Sequence, residues 1–213
     1  MFAPPFLLPE FADENGLVAL GGDLRPERLL YAYRSGVFPW YNQGEPICWW
    51  SPDPRAIFEL DGLRVSRRLA RTLRSGPYRV TVDRDFAGVI RGCAERGEEG
   101  TWIIPEMIGA YERLHRLGYA HSVEVWCGTD LAGGLYGVAV GGLFAGESMF
   151  SRQRDASKVA LVDTVERLRG QGFQLFDIQL LTEHTARLGA VEISRKQYLA
   201  RLRRALACSP TFA

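Results

Sequence analysis

Two polar residues in the run Phe173-Gln-Leu-Phe-Asp-Ile-Gln-Leu-Leu181 could do chemistry: a carboxylate, Asp177, and an amide, Gln179. The run reads as a buried strand. Strand side chains alternate, so Phe176, Ile178 and Leu180 make one apolar face, while Leu175, Asp177, Gln179 and Leu181 point the other way. An unpaired buried polar group costs about 1–3 kcal/mol, so two of them on one face require partners or a ligand. A second acid, Glu147, lies in Gly146-Glu-Ser-Met-Phe150, on the strand face shared by Leu143 and Met149. If that strand pairs near the first, Glu147 and Asp177 place two acids in one cleft suited to a cationic ligand. The other reading is a pair of acids satisfied by Arg152 or Arg154, and spacing alone leaves both open.

A row of bases offers a different chemistry. Arg64, Arg67, Arg71 and Arg74 recur at helical spacing, and residues 64–79 also hold Arg68 and Arg79 with no acid among them. A solvated surface is one explanation for such a run. The row repels itself without interleaved acids, so a phosphate-bearing partner is the other.

Further motifs lose their chemistry on inspection. Gly146-Glu-Ser-Met-Phe150 lacks the second glycine of a nucleophile elbow, and no helix follows at once, which argues against a serine hydrolase. His115, His121 and His184 match no zinc spacing. Gly133-Gly-Leu-Tyr-Gly137 leads into a strand instead of a helix, so its glycines mark bulges or a close backbone approach in place of a dinucleotide site. Trp40, Trp49, Trp50 and Trp102 fit a core, except that Trp40 sits in a Pro-flanked loop, where a large aromatic is costly unless it lines something.

The elements that must position these groups are legible in outline. Pro26 opens a helix that stops near Gly36, Ile47-Cys-Trp-Trp50 is a strand, and Ser51-Pro-Asp-Pro54 rules out a helix. Ser66 caps the basic helix, which ends near Gly76. Tyr78–Val82 alternates as a strand, Asp83 caps a helix to about Arg96, and Pro105 opens one ending at Gly118. Strands at 120–126, 131–140 and 142–150 precede a long helix at 155–170 with Val159, Val162, Val165 and Leu168 inward. After the 173–181 strand come a short helix at 182–188 and a basic helix at 195–206 capped by Ser194. This order predicts an α+β (mixed α/β) protein with one central, mostly antiparallel sheet, a small N-terminal domain over 1–62 and a larger domain over 63–213.

Composition fits a soluble protein of 213 residues, with 46% hydrophobic and 24% charged residues and a net charge of +1. The proline-broken start has no basic n-region, so no signal peptide is expected, and no apolar run reaches about 18 residues. Cys48, Cys93, Cys127 and Cys208 form no C-x-x-C pair and read as reduced thiols in a cytoplasmic protein without membrane contact. Nothing demands a partner subunit, and a monomer is expected.

Seven motifs together carry a resemblance that covers nearly the whole chain. Gly16-Leu-Val-Ala-Leu-Gly-Gly-Asp-Leu24, Tyr33-Arg-Ser-Gly-Val-Phe-Pro-Trp-Tyr41, Trp49-Trp-Ser-Pro-Asp-Pro-Arg55, Glu99-Gly-Thr-Trp102, His121-Ser-Val-Glu-Val-Trp126, Gly146-Glu-Ser-Met-Phe-Ser151 and Asp177-Ile-Gln179 resemble the leucyl/phenylalanyl-tRNA–protein transferases. The resemblance implies transfer of Leu or Phe from aminoacyl-tRNA to proteins with N-terminal Arg or Lys, marking them for N-end rule degradation. It also implies an N-acyltransferase-like larger domain and no metal or cofactor. By matching positions, Gln179, Asp177 and Glu147 would be the catalytic and acceptor-binding groups, while Trp40, Trp102, Leu135, Phe144, Ser148 and Met149 would surround the aminoacyl side chain and terminal adenosine. Arg67, Arg71 and Arg74 would meet tRNA phosphates, with Arg154 and Lys158 near the 3′ end. Departures are mild: Arg25 replaces a capping Ser, Ile178 a common Cys, and Leu135 stands where some relatives have Met, which could shift the pocket among Leu, Phe and Met.

Two rival readings remain at this level. An acetyl-CoA-dependent N-acetyltransferase of similar fold would wrap pyrophosphate in a glycine-bearing loop, whereas Ser151-Arg-Gln-Arg-Asp-Ala-Ser-Lys158 has no glycine. A noncatalytic tRNA-binding module would bind without transfer.

Overall fold

The computed structural model describes residues 8–95 and 101–212, so Glu99 and Gly100 of the fourth motif lie outside the described residues. After a single 3-10 turn, Pro9–Phe11, the chain forms β1 (Leu17–Leu20), α1 (Pro26–Arg34), β2 (Phe38–Pro39), β3 (Cys48–Trp50) and β4 (Arg55–Phe58). It continues through α2 (Arg67–Ser75), β5 (Tyr78–Val82), α3 (Phe86–Ala94), α4 (Pro105–Arg116), β6 (Ala120–Cys127), β7 (Asp130–Val140) and β8 (Leu143–Ser151). Then come α5 (Ala156–Gln171), β9 (Leu175–Gln179), α6 (Glu183–Arg187), β10 (Val191–Ile193) and α7 (Arg195–Leu206).

Local chemistry sets most helix starts. The side chains of Ser66, Thr182 and Ser194 accept hydrogen bonds from backbone N–H groups three residues on, and Pro26 and Pro105 occupy first-turn positions where no donor is lost. One expected cap is corrected: Asp85, not Asp83, accepts from Gly88 N to start α3. Asp83 is taken by tertiary partners, since its carboxylate meets His121 Nδ1 at 2.7 Å and the Ser122 N–H at 2.9 Å.

Two sheets result, giving a mixed α+β fold. The small one has the order β1-β3-β2, and the large one runs β10-β4-β9-β8-β7-β6-β5. All pairings are antiparallel except β8 with β9. Residues Arg55–Phe58 of the first sixty already belong to the large sheet, between β10 and β9, so the change of sheet falls between Trp50 and Arg55.

Each face of the large sheet buries its own core. On β7, Tyr136, Val138 and Val140 face the core shared with α1, α3, α4 and α7, whereas Leu135 and Ala139 face the one covered by α5. The small N-terminal sheet is fused to the first core through Val18, Phe38 and Trp49. Gly36 permits its close approach to α7: the residue has φ +77°, and a Cβ there would lie 2.8 Å from Leu199. No helix among the described residues is long and apolar enough to cross a membrane.

Candidate active site

The single parallel pairing positions the polar groups. Strands β8 and β9 pair at Leu143 with Leu175, Phe144 with Phe176 and Ala145 with Asp177, and the ladder stops there. Beyond that point both strands depart from regular geometry. On β8, Gly146 pairs with Gly137 and Ser148 with Tyr136, so Glu147 is the extra residue of a β-bulge. A bulge re-aims its side chain, and the expected face shared by Leu143, Glu147 and Met149 is broken: Leu143 packs in the α4 core and Met149 against the α5 core. On β9, Gln179 has φ +60°, and Leu180 N–H donates to Ile178 O at 2.6 Å, closing a three-residue turn around it. A non-glycine residue held in that region is strained and needs fixed surroundings.

Asp177 supplies part of that fixing. Its Oδ1 accepts from the Gln179 backbone N–H at 3.0 Å. Opposite, Arg55 of β4 grips the carboxylate with two bonds, Nε to Oδ1 at 2.9 Å and an NH2 nitrogen to Oδ2 at 2.6 Å, while Tyr198 of α7 donates to Oδ2 at 2.9 Å. The guanidinium also donates to Gly36 O at 3.2 Å and lies 4.8 Å from the Phe38 ring centre and 4.4 Å from that of Tyr198. Burial opposes the charge on Arg55, but the adjacent carboxylate outweighs it and holds the group protonated. Both residues are about 1% exposed, so Asp177 faces Arg55 and Tyr198 and not the solvent. Of the two readings left open, ion-paired acids hold for Asp177 alone and with Arg55 as the cation, since Arg152 pairs with Glu95 and Arg154 with Asp155.

Glu147 lives in another environment. The Gln179 side-chain amide donates to its Oε1 at 3.1 Å, and Tyr111 OH donates to its Oε2 at 3.0 Å. The Tyr111 proton is spent there, so the Tyr33 hydroxyl, 2.5 Å away, donates to Tyr111. No ion pair reaches Glu147 among the described residues. The residue is half-buried along its strand, yet desolvation of its carboxyl pushes its pKa up to about 7, with the Asp177 charge adding to the rise and the tyrosines and Arg55 opposing it. Its bond to Gln179 uses the amide nitrogen and leaves Gln179 Oε1 as an acceptor.

A cavity of about 470 Å³ opens beside Glu147. Leu135, Ser148, Met149, Phe176 and Ile178 line it, with Leu161 of α5 opposite the strands. Of the expected pocket residues, Leu135, Ser148 and Met149 are on its wall, and Phe144 lies one layer behind, 5.7 Å from the ring of Phe176. Trp40 and Trp102 stand apart from it: Trp40 is 42% exposed with its ring 6.3 Å from Trp50, and Trp102 is half-buried against the α4 core.

The basic groups fall into an exposed row on α2 and a cleft that adjoins the cavity at His184. On α2, Arg67, Arg71 and Arg74 are exposed and make no ion pair among the described residues. Lys158 is 2.7 Å from Asp155, which also meets Arg68 at 3.4 Å and Arg154 at 3.8 Å. The Lys158 hydrogen bond is the largest cause holding that carboxyl below its usual range. A smaller cleft of about 200 Å³ joins Arg64, Lys158 and Arg187, and shares His184 with the main cavity. Burial, then the Lys158 and Arg187 charges, hold His184 below its usual pKa.

Sequence reasoning missed the groups that orient the acids. Arg55 closed a motif without a role, and Tyr33, Tyr111 and Tyr198 were unremarkable helix residues. The one available signal was an arginine directly before the apolar run Ala56-Ile-Phe58, where only a buried partner makes a charge tolerable.

Comparison with known proteins places this arrangement in context. Residues 57–203 match the family model described as leucyl/phenylalanyl-tRNA protein transferase, and residues 22–53 match the model of that enzyme's N-terminal domain. The chain is 60% identical over 201 residues to a leucyl/phenylalanyl-tRNA–protein transferase of Anaeromyxobacter sp. (strain Fw109-5), covering 93% of this chain and 86% of that one. It is 56% identical over 196 residues to the protein of the same name from Escherichia coli O7:K1, covering 91% and 84%. A third, from Chromobacterium violaceum, is 56% identical over 191 residues, covering 89% and 82%.

Proposed function

Because the chain belongs to the leucyl/phenylalanyl-tRNA–protein transferase family, we propose that it moves Leu or Phe from aminoacyl-tRNA to the α-amino group of proteins beginning with Arg or Lys. The observation that carries this reading is the juxtaposition of a largely apolar cavity with an amide and a carboxylate, Glu147, that forms no ion pair among the described residues. The cavity takes the donor side chain, and Glu147 marks the side from which a cationic acceptor enters. Degradation by the N-end rule would follow from the new N-terminal residue, and the protein would act in the cytoplasm as a monomer.

The reaction is aminolysis of an ester. The acceptor nitrogen attacks the carbonyl joining the amino acid to the tRNA ribose, a C–N bond forms, the C–O bond breaks, and the amine proton ends on the leaving ribose oxygen. An α-amine with pKa of about 7.7–8.0 is roughly a tenth to a fifth neutral at pH 7, so no strong base is required. Positioning is then the main task, worth about 7–11 kcal/mol when two reactants are held in line. Gln179 Oε1 accepts from the attacking amine and orients it, because its amide nitrogen is already committed to Glu147. Asp177 is a positioning residue: it holds the strained Gln179 backbone from behind and is itself held by Arg55 and Tyr198. Glu147 binds the acceptor's cationic side chain through charge-assisted hydrogen bonds.

On the donor side, Leu135, Met149 and the Phe144–Phe176 layer surround the amino-acid side chain, with Ser148 at the wall. Trp40 and Trp102, both away from this cavity, would meet the terminal adenosine. Phosphates of the 3′ end fit the cleft of Lys158 and Arg187, near Arg154, while Arg67, Arg71 and Arg74 hold the acceptor stem without reading its sequence. The two-unit organisation is best drawn with the change of sheet, placing Arg55 onward in the catalytic unit. Transfer of radiolabelled Leu from charged tRNA to peptides differing only in their first residue tests the reading. Label should enter peptides beginning with Arg or Lys and not those beginning with Ala or Asp; binding of charged tRNA without transfer would refute it.

A further inference from the structure

Five rings cross the face of the large sheet that packs on α5. Phe58 of β4, Phe176 of β9 and Phe144 of β8 follow one another with centroids 5.5 and 5.7 Å apart. Phe212, beyond α7, stacks on Phe144 at 4.8 Å with the ring planes 19° apart. His121 of β6 ends the row 5.1 Å from Phe212, its Nδ1 held by Asp83 at 2.7 Å. Two glycines make room for the row. A Cβ on Gly146 would come within 2.9 Å of the Phe176 ring, and one on Gly137 within 2.6 Å of the Phe144 ring.

The two ends of this row differ. Phe58 and Phe176 line the 470 Å³ cavity. At the other end Phe212 is 4% exposed and also meets Phe173, 6.1 Å away. Phe144 is fully buried between Phe176 and Phe212, so neither it nor the cavity-lining Phe176 ring in front of it can retreat while Phe212 fills the space behind.

We propose that Phe212 is a specificity-determining positioning residue: it holds the Phe144 and Phe176 rings forward and so sets the depth of the cavity and the size of donor side chain it accepts. The inference rests on reading the cavity as the aminoacyl pocket. Phe212 lies beyond residue 203, where the family-model match ends, so this chain closes its pocket from behind with a residue outside the matched stretch. Loss of the ring leaves space into which Phe144 and then Phe176 relax, deepening the floor. A deeper floor favours Phe over Leu.

The test compares kcat/KM for Phe- and Leu-charged tRNA in the wild type, Phe212→Ala, Phe212→Leu and Val165→Ala. Val165, 2% exposed in the same core but not a member of the row, reports general loosening. The Phe-to-Leu ratio should rise about tenfold in Phe212→Ala and by less in Phe212→Leu, the lower end of a methylene's worth of pocket fit. In Val165→Ala it should stay at the wild-type value. If Phe212→Ala does not fold, Phe212→Leu carries the comparison, because it keeps the site apolar and largely filled. An unchanged ratio in folded Phe212 variants, or an equal rise in Val165→Ala, would overturn the proposal. A wild type that transfers neither donor would instead show that the pocket has been misread, and the proposal would fall with that reading.

Discussion

Asp177 and Glu147 are joined through one residue, Gln179, and their surroundings differ in kind. Around Asp177 every hydrogen bond is internal: a guanidinium on both oxygens, a tyrosine hydroxyl and a backbone N–H, all closed off from water. Around Glu147 the partners are neutral, two tyrosines in series and an amide, and a cavity adjoins the carboxyl. A buried acid with its own cation is spent on architecture. A desolvated acid without one gains most from a ligand that brings the missing charge.

The largest effect that could break this contrast lies on the Asp177 side. Arg55→Ala leaves a buried, unpaired carboxylate and should cost about 3–5 kcal/mol in denaturant unfolding, while the pair replacement Arg55→Met with Asp177→Leu should cost much less. Equal losses would mean that the pair does more than hold structure. Next comes Gln179→Ala, which should lower kcat about a hundredfold, the scale of a misplaced reactant, with the KM values for donor and acceptor little changed. Normal turnover at full loading of both substrates would remove Gln179 from the chemistry.

On the Glu147 side the contrast is sharpened by pH. Its carboxyl titrates near 7 when folded and in the ordinary acid range when unfolded, so the folded state binds the extra proton between those values. Stability from this group is therefore full below about pH 4.5 and is lost as pH rises to about 7, on the order of 3 kcal/mol in total. Glu147→Gln should flatten that decline in unfolding experiments at pH 5 and pH 8. Activity runs the other way, since the charged form binds the acceptor. Below pH 7 the log of acceptor kcat/KM should climb with a slope approaching two, one proton from Glu147 and one from the amine, and Glu147→Gln should reduce the slope to one.

The smallest expected effect is on the basic helix. Replacing Arg67, Arg71 and Arg74 together by Gln should weaken charged-tRNA binding and make its salt dependence shallower by about two to three units of slope. An unchanged slope would make the row a solvated face.

Legibility in the sequence followed the range of the interactions. Ser66, Pro105 and Ser194 were readable as helix starts because a cap is satisfied within three residues. Strands β4 and β10 were not, being four and three residues long and defined by partners far along the chain. The choice of Asp85 over Asp83 as a cap was equally hidden, because His121 and Ser122 decide it. Strand alternation placed Asp177 and Gln179 together, but it could not foresee the positive φ that turns Gln179 toward Glu147 or the bulge that turns Glu147 toward Gln179. The cation for Asp177 was invisible for the same reason: Arg55 is 122 positions away.

The division of labour between the two acids is tested most directly by steady-state kinetics of Glu147→Gln with an Arg-initiated peptide as acceptor. Loss of a charge-assisted contact worth about 1.5–3 kcal/mol should lower acceptor kcat/KM roughly ten- to hundredfold while leaving the KM for charged tRNA within about twofold. Equal losses for acceptor and donor would contradict the assignment of Glu147 to the acceptor.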